Sequence, residues 1–164
     1  MAEHEAVPGW NNPTASERKR ILDDSATVAI VGASSNPARA SNFVATYLLG
    51  STNFEVWMVN PRETEILGRE VYPSLDDLPD APDIVDVFRK ASDCPPIADD
   101  AVRIGASALW IQLGLWSPEA AQIASAAGLD VVMDSCLKIE HARFHGGLHL
   151  AGFDTGVISS SRAN

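Results

Sequence analysis

Cysteine is scarce: Cys94 and Cys136 are the only two in 164 residues. Two thiols far apart in a chain of this size predict free thiols rather than the disulfide framework of a small secreted domain. Long apolar runs are missing as well, and none approaches the ~20 residues of a membrane-spanning helix. The opening "MAEHEAVPGWNNPTASERKR" is acidic and polar and has no apolar core of a secretory signal, so a cytoplasmic location is expected. Positive charge is short. Twelve Lys and Arg face 22 Asp and Glu, for a net charge of −10 and a pI near 4.6. That balance excludes the basic footprint with which proteins neutralise nucleic-acid phosphates. It does not exclude a small anion, which local amides and one or two arginines hold against the global field. Internal repeats and low-complexity linkers are absent too. What remains is 46% hydrophobic and 21% charged, an ordinary composition for a globular chain with one sizeable core.

The hydrophobic pattern alternates between two periods. "TASERKRILDD" reads as a first helix, with Thr14 and Glu17 at capping-box spacing. "TVAIVG" (27–32) is a continuous apolar run, as expected of a strand buried on both faces. "ARASNFVATYLLG" (38–50) is helical, with Phe43, Val44, Tyr47 and Leu48 on one face. Further strands are expected over 54–60, 83–89, 107–114 and 129–134. Between the second and third, residues 65–79 read as a small excursion with one helical turn after Ser74. Pro95 and Pro96 suit the first turn of a helix running to Ile104, with Gly105 as its C-cap. Ser117 and Pro118 make an N-cap and first-turn pair, Gly128 closes that helix, and "CLKIEHARF" is a last short one. Regular βα alternation predicts an α/β protein: a Rossmann-like, doubly wound parallel sheet of about five strands, ordered 3-2-1-4-5, in three αβα layers. Residues 1–13 form an arm in which Trp10 can pack back, 14–145 the domain, and 146–164 a glycine-rich tail that leaves open packing onto the domain.

Ligands of such sheets bind beyond the carboxyl ends of the strands, at the switch point. The first of these ends is "AIVGASSNPARAS" (29–41). The three glycines of the dinucleotide fingerprint are missing here; only Gly32 is present. Gly32 permits a sharp turn and close approach of a ligand. Ser34, Ser35 or Asn36 can cap the following helix, with Pro37 in its first position. The free amides and helix dipole then favour a phosphate, and a capped turn without ligand is the plainer reading. Arg39, expected one turn into the helix, opposes the dipole unless an anion is near.

The second strand end, "VNPRE", lacks the acid that binds ribose in NAD sites. Asn60 and Pro61 stand there instead, and Glu63 lies beyond the turn. Arg62 suits a ribose phosphate, as in NADP or coenzyme A. "FRK" (88–90) brings Phe88, Arg89 and Lys90, and "IQLG" (111–114) brings Gln112 and Gly114. Each of these cations is also readable as ordinary surface charge.

Together these stretches resemble the small stand-alone CoA-binding domain proteins, similar to the CoA-binding domain of the succinyl-CoA synthetase alpha subunit. "VAIVGASSNPARAS", "VNP", "ILGREVYPSL", "DIVDVFR", "WIQLG" and "VVMDSCLKIEH" carry the likeness in order over about residues 26–141. The resemblance implies a site for coenzyme A or a short acyl-CoA. Gly32, Ala33, Ser34, Ser35 and Pro37 would hold phosphate, with Arg39 adding charge. Asn60 and Pro61 would border the adenosine. Phe88, Arg89, Gln112 and Gly114 would line the far side. The synthetases' grasp domain has no room in this chain. The implied role is therefore a carrier, sensor or accessory subunit without its own catalysis, either as a homodimer or beside an enzyme of acyl-CoA metabolism. An NADP(H)- or NAD(H)-binding enzyme or redox-sensing regulator stays open as an alternative.

Cys136 is expected at the start of the last helix, where a helix N-terminus favours the thiolate. Coenzyme A ends in a thiol, so a mixed disulfide at Cys136 is chemically open, and a buried structural cysteine is the plainer reading. His141, His145 and His149 recur every four residues, but Gly146 and Gly147 interrupt any shared helix, so no metal site is expected. Glu140 and Asp134 are the nearest acid or base candidates, and no catalytic set forms around them. Trp116 is expected in a loop near the crevice, over the ligand or under the loop.

Overall fold

A computed structural model describes residues 4–145. The first helix, α1 (Ala15–Asp23), starts on the expected capping box: Thr14 Oγ1 accepts the Glu17 N–H, and Glu17 accepts the Thr14 N–H. Strand β1 (Thr27–Val31) is buried from Val28 onward and forms the centre of the sheet. Helix α2 (Ala40–Ser51) crosses to β2 (Glu55–Val59), which pairs with β1 in parallel. The chain then makes a hairpin of β3 (Glu65–Ile66) and β4 (Arg69–Tyr72), whose turn carries Leu67 and Gly68 at φ 52° and 75°. A 3-10 turn, Leu75–Asp77, follows Ser74. Strand β5 (Ile84–Val87) returns to the other side of β1. After it come α3 (Cys94–Ile104), β6 (Ala108–Ile111), α4 (Pro118–Ala126), β7 (Asp130–Val132) and α5 (Leu137–Phe144).

The fold class is the expected Rossmann-like α/β sheet, with two differences of detail. There are seven strands rather than about five, in the order β3-β4-β2-β1-β5-β6-β7. The expected third strand therefore pairs with β1, not with the outside of β2. The place beside β2 is taken by β4, which pairs in parallel through Met58–Val71 and Val59–Tyr72. The physical reason is the hairpin turn at Leu67–Gly68, which lets a run too short to read as a strand fold back and fill the edge.

Two cores cover the two faces. Ile30, Ile84 and Trp110 pack under α1, α2 and α5 with Leu22, Leu48 and Leu137. Ala29, Val85 and Leu109 pack under α3 and α4 with Ala98, Ala121 and the arm residue Val7. The helices of the second face present mainly alanine to the sheet. On α2 the predicted face is right for Val44, Tyr47 and Leu48, but Phe43 points out and is 57% exposed.

The arm is firmly seated. Trp10 Nε1 donates to the Val131 carbonyl. The Asn12 side chain donates to the Met133 carbonyl and accepts the Met133 N–H. Trp116 belongs to this region too: it stacks on His4 with centroids 4.0 Å apart and donates to the Glu5 carbonyl. The described portion of the arm thus lies along the β7 side of the sheet. The glycine-rich segment 146–164, His149 included, lies outside the described residues.

Candidate functional site

Gly32 ends β1 at φ +89°, a conformation that side chains other than glycine's adopt only under strain. A Cβ there would meet Arg89 Cδ at 3.0 Å and the Phe88 carbonyl oxygen at 3.1 Å. The first and fifth strands can therefore release their chains side by side only because this residue lacks a side chain. The Gly32 and Ala33 N–H groups both donate to the Val59 carbonyl, which carries the turn over the end of β2.

The loop after Gly32 is pinned by two asparagines. Asn60 Nδ2 donates to the Ala33 carbonyl at 2.7 Å, and Asn42 Nδ2 to the Ser34 carbonyl at 2.9 Å. Ser34 Oγ accepts the Asn36 N–H, and Asn36 Oδ1 accepts the Ala38 N–H. These local bonds change two expectations. Neither Ser34, Ser35 nor Asn36 caps α2, because their side chains or amides are spent inside the loop or on Glu63. Pro37 is not the first helical residue, and Arg39 is not one turn inside. The helix begins at Ala40, with Arg39 in extended backbone at the N-cap and no side-chain cap bond. Arg39 is thus free of the unfavourable mid-helix position that the sequence suggested.

A cavity of about 480 Å³ opens at this point. It is lined by Gly32 and Ser34 from the first loop, and by Arg39, Ala40 and Ser41 at the start of α2. Asn60, Pro61 and Arg62 come from the end of β2, and Phe88 and Arg89 from the end of β5. The strands concerned are β2, β1 and β5, so the cavity sits where the chain's winding reverses, as the doubly wound rule requires. The first N–H groups of a helix have no carbonyl one turn back, and Ala40 and Ser41 of the first turn of α2 are at the wall. Arg39 and Arg62 form no ion pair among the described residues, whereas Arg89 pairs with Asp93 at 3.1 Å. Three guanidinium groups and a helix N-terminus around one concavity suit an anionic ligand.

Ala33, Ser35 and Pro37 adjoin this wall along the chain: Ala33 is buried, and Ser35 and Pro37 are exposed. Gln112, Gly114 and Cys136 do not line the cavity. Gln112 is buried at the end of β6, and its Oε1 has no partner among the described residues. The Gly114 N–H donates to Asp134 Oδ1 at 2.7 Å, and His4 bridges to the other Asp134 oxygen at 2.8 Å. Asp134 is therefore engaged in holding the arm rather than poised as an acid or base. Cys136 is half-buried at the N-cap of α5 and packs on the α2 side of the core. Glu140 is buried and paired with Arg18 at 2.8 Å and Arg143 at 3.3 Å, which ties α5 to α1.

His141 lies away from the crevice. Helix α5 carries it back to the other end of the sheet. There it borders a second hollow with Ala26, Asn53 and Phe54, just ahead of β1 and β2. The group missed by sequence is Glu63. Its carboxylate accepts the Ser35 N–H at 3.1 and 3.3 Å, inside the loop predicted to hold phosphate. Distance along the chain concealed this contact: the Asn60 side chain, by accepting the Arg62 N–H at 2.8 Å, turns the chain back toward the first loop.

The CoA binding domain family model matches residues 26–142, which spans β1 to the middle of α5. The Bacillus subtilis (strain 168) protein YneT is 37% identical over 131 residues, covering 80% of this chain and 96% of its own. A solved structure from Pyrococcus horikoshii OT3 is 36% identical, with a TM-score of 0.76 over 87% of this chain and 98% of that one. A structure from Thermus thermophilus is 34% identical, with a TM-score of 0.75 over 80% and 98%. With the crevice at the switch point, its arginines and this match over most of the length, the chain belongs to the CoA binding domain family.

Proposed function

We propose that the protein binds coenzyme A or a short acyl-CoA in the crevice above β2, β1 and β5, as a carrier, sensor or accessory subunit without chemistry of its own. The observation that carries this reading is the convergence of Arg39, Arg62 and Arg89 with the start of α2 on one cavity. A diphosphate lies against the Ser34–Ser35 loop and the first turn of α2. Asn60 and Pro61 border the adenosine, and Phe88 and Arg89 flank it from β5. Beyond the cavity, Gln112, Gly114 and Cys136 mark the route of the pantetheine arm along the remaining strand ends. Family membership supports the ligand class. The end of β2 favours coenzyme A over NAD, because Asn60 is spent on Ala33 and Arg62 and offers no carboxylate to a ribose.

Thermal unfolding in the presence of coenzyme A, acetyl-CoA, NADH and NADPH tests the reading. A ligand that binds only the native state raises the midpoint by mass action. Coenzyme A or acetyl-CoA should raise it most, and Arg39→Glu should cancel most of that rise while leaving the ligand-free midpoint nearly unchanged. Stabilisation by NADH but not by coenzyme A overturns the reading.

A second reading is favoured by one contrast: Cys136 is half-buried while Cys94 is 1% exposed. The Cys136 thiolate attacks one sulfur of a CoA disulfide, the S–S bond breaks, and the second coenzyme A leaves as thiolate. Intact-protein mass spectrometry with CoA disulfide should show one adduct, absent in Cys136→Ser and released by a reducing thiol.

A further inference from the structure

The phosphate loop already holds an anion. Glu63 presents both carboxylate oxygens to the Ser35 N–H, at 3.1 and 3.3 Å. It does so beside the crevice on whose wall Arg39 and Arg62 stand, and neither arginine forms an ion pair with it or with any other acid among the described residues. A carboxylate on a backbone N–H is a charge-assisted hydrogen bond of the kind a phosphate oxygen makes. Nothing else in the loop competes for this amide. The neighbouring N–H groups of Gly32, Ala33, Asn36 and Ala38 are taken by Val59, Ser34 and Asn36. The Ser35 N–H is a donor that the loop itself does not use, and the chain's own carboxylate sits on it.

We propose that Glu63 is an internal occupant of the phosphate position, filling the Ser35 amide in the free protein and yielding it to the diphosphate of the incoming ligand. The proposal deepens the CoA reading and rests on it for the natural ligand, but the competition itself applies to any diphosphate. Two consequences separate it from a merely structural contact. A ligand without phosphate has no reason to displace Glu63. A ligand with one must first remove a like charge, so Glu63 weakens phosphate binding while ordering the empty loop. It thereby selects ligands that carry enough negative charge and enough acceptors to win the amide, and it disfavours neutral nucleosides of similar shape.

The glutamine variant keeps the side chain's length and an acceptor oxygen but removes the charge. Coenzyme A, dephospho-CoA, inorganic pyrophosphate and pantetheine are titrated calorimetrically into wild type and Glu63→Gln, with Glu63→Ala as a second variant. Coenzyme A, dephospho-CoA and pyrophosphate should bind the variants tighter by roughly three- to tenfold, the scale of one charge-assisted contact. Pantetheine should bind all three proteins alike. The Ser35 amide resonance should move in Glu63→Gln without ligand and again on adding pyrophosphate to wild type. Weaker coenzyme A and pyrophosphate binding in both variants overturns the proposal, because Glu63 would then be a ligand contact. Equal binding overturns it as well. If pyrophosphate tightens in the variants but coenzyme A binds none of the proteins, the CoA reading fails and the role of Glu63 stands.

Discussion

The Tyr47 hydroxyl and His141 Nδ1 share a hydrogen bond of 2.8 Å, joining α2 to α5. The surroundings keep the imidazole neutral. Burial pushes the His141 imidazole down to about 4, and His145, stacked at 4.4 Å between ring centroids, adds repulsion; Asp23 opposes both weakly. A group whose folded pKa lies below its ordinary value of 6.5 binds fewer protons in the folded state than in the unfolded one. Its contribution is whole above about pH 6.5 and is lost as the pH falls toward about 4. Urea midpoints measured across that window should drop for wild type. In His141→Gln the drop should be visibly shallower, and an unchanged slope would mean the imidazole is not desolvated.

Asp86 gives the opposite sign. It is wholly buried on β5, beside Ile30 of β1 and Trp110 of β6, and neither oxygen has a partner among the described residues. Burial holds its carboxyl well above the ordinary 3.8, so the folded state keeps a proton that the unfolded state gives up. Stability from this group is greatest below about 3.8 and falls as the pH rises toward the folded value. Asp86→Asn cannot titrate. The stability difference between wild type and variant should therefore shift steadily in the variant's favour on going from acid to neutral pH, followed by denaturant titration.

Gly32 is the strictest backbone position in the crevice. Gly32→Ala must accept φ near +89° and a Cβ against the Phe88 carbonyl and Arg89. We expect a loss of about 1–3 kcal/mol in unfolding free energy. Because Arg89 and Phe88 are what the new methyl touches, phosphate binding should weaken as well. Chemical denaturation with and without pyrophosphate separates the two effects.

The two thiols should differ in reactivity. Cys94 is buried in the first turn of α3, its Sγ 3.6 Å from the Lys90 carbonyl, and burial with the nearby Asp93 pushes its pKa up to about 11. Cys136 is half-buried. Iodoacetamide at pH 8 should modify Cys136 first in the native protein and both cysteines in urea. Labelling of Cys94 at the same rate would show that α3 opens readily.

Continuous apolar strands, proline and serine at helix starts, and strand ends that converge at a switch point were legible in the sequence because each follows from local chemistry. Gly32, Arg39, Asn60 and Phe88, expected at the strand ends this way, line the crevice. What escaped depends on contacts between distant segments. The hairpin at Leu67–Gly68 is too short for a strand signal and became visible only through its pairing with β2. The start of α2 moved to Ala40 because Asn36 closes its own turn first. Glu63 reads as an acid beyond the turn until the Asn60 side chain folds its loop back, and Trp116 reads as a loop residue near the crevice until the arm is in place.

The arm has a wider consequence. Strand β7 is the last of the sheet, and such a margin presents unpaired peptide groups on which another chain can build. Here the Asn12 amide satisfies both the N–H and the carbonyl of Met133, and the Trp10 indole takes the carbonyl of Val131. Side chains imitate a neighbouring strand without supplying a backbone that could itself be extended. This margin of the sheet is thereby occupied by two side chains rather than by a further strand, and a chain adding there would have to displace them.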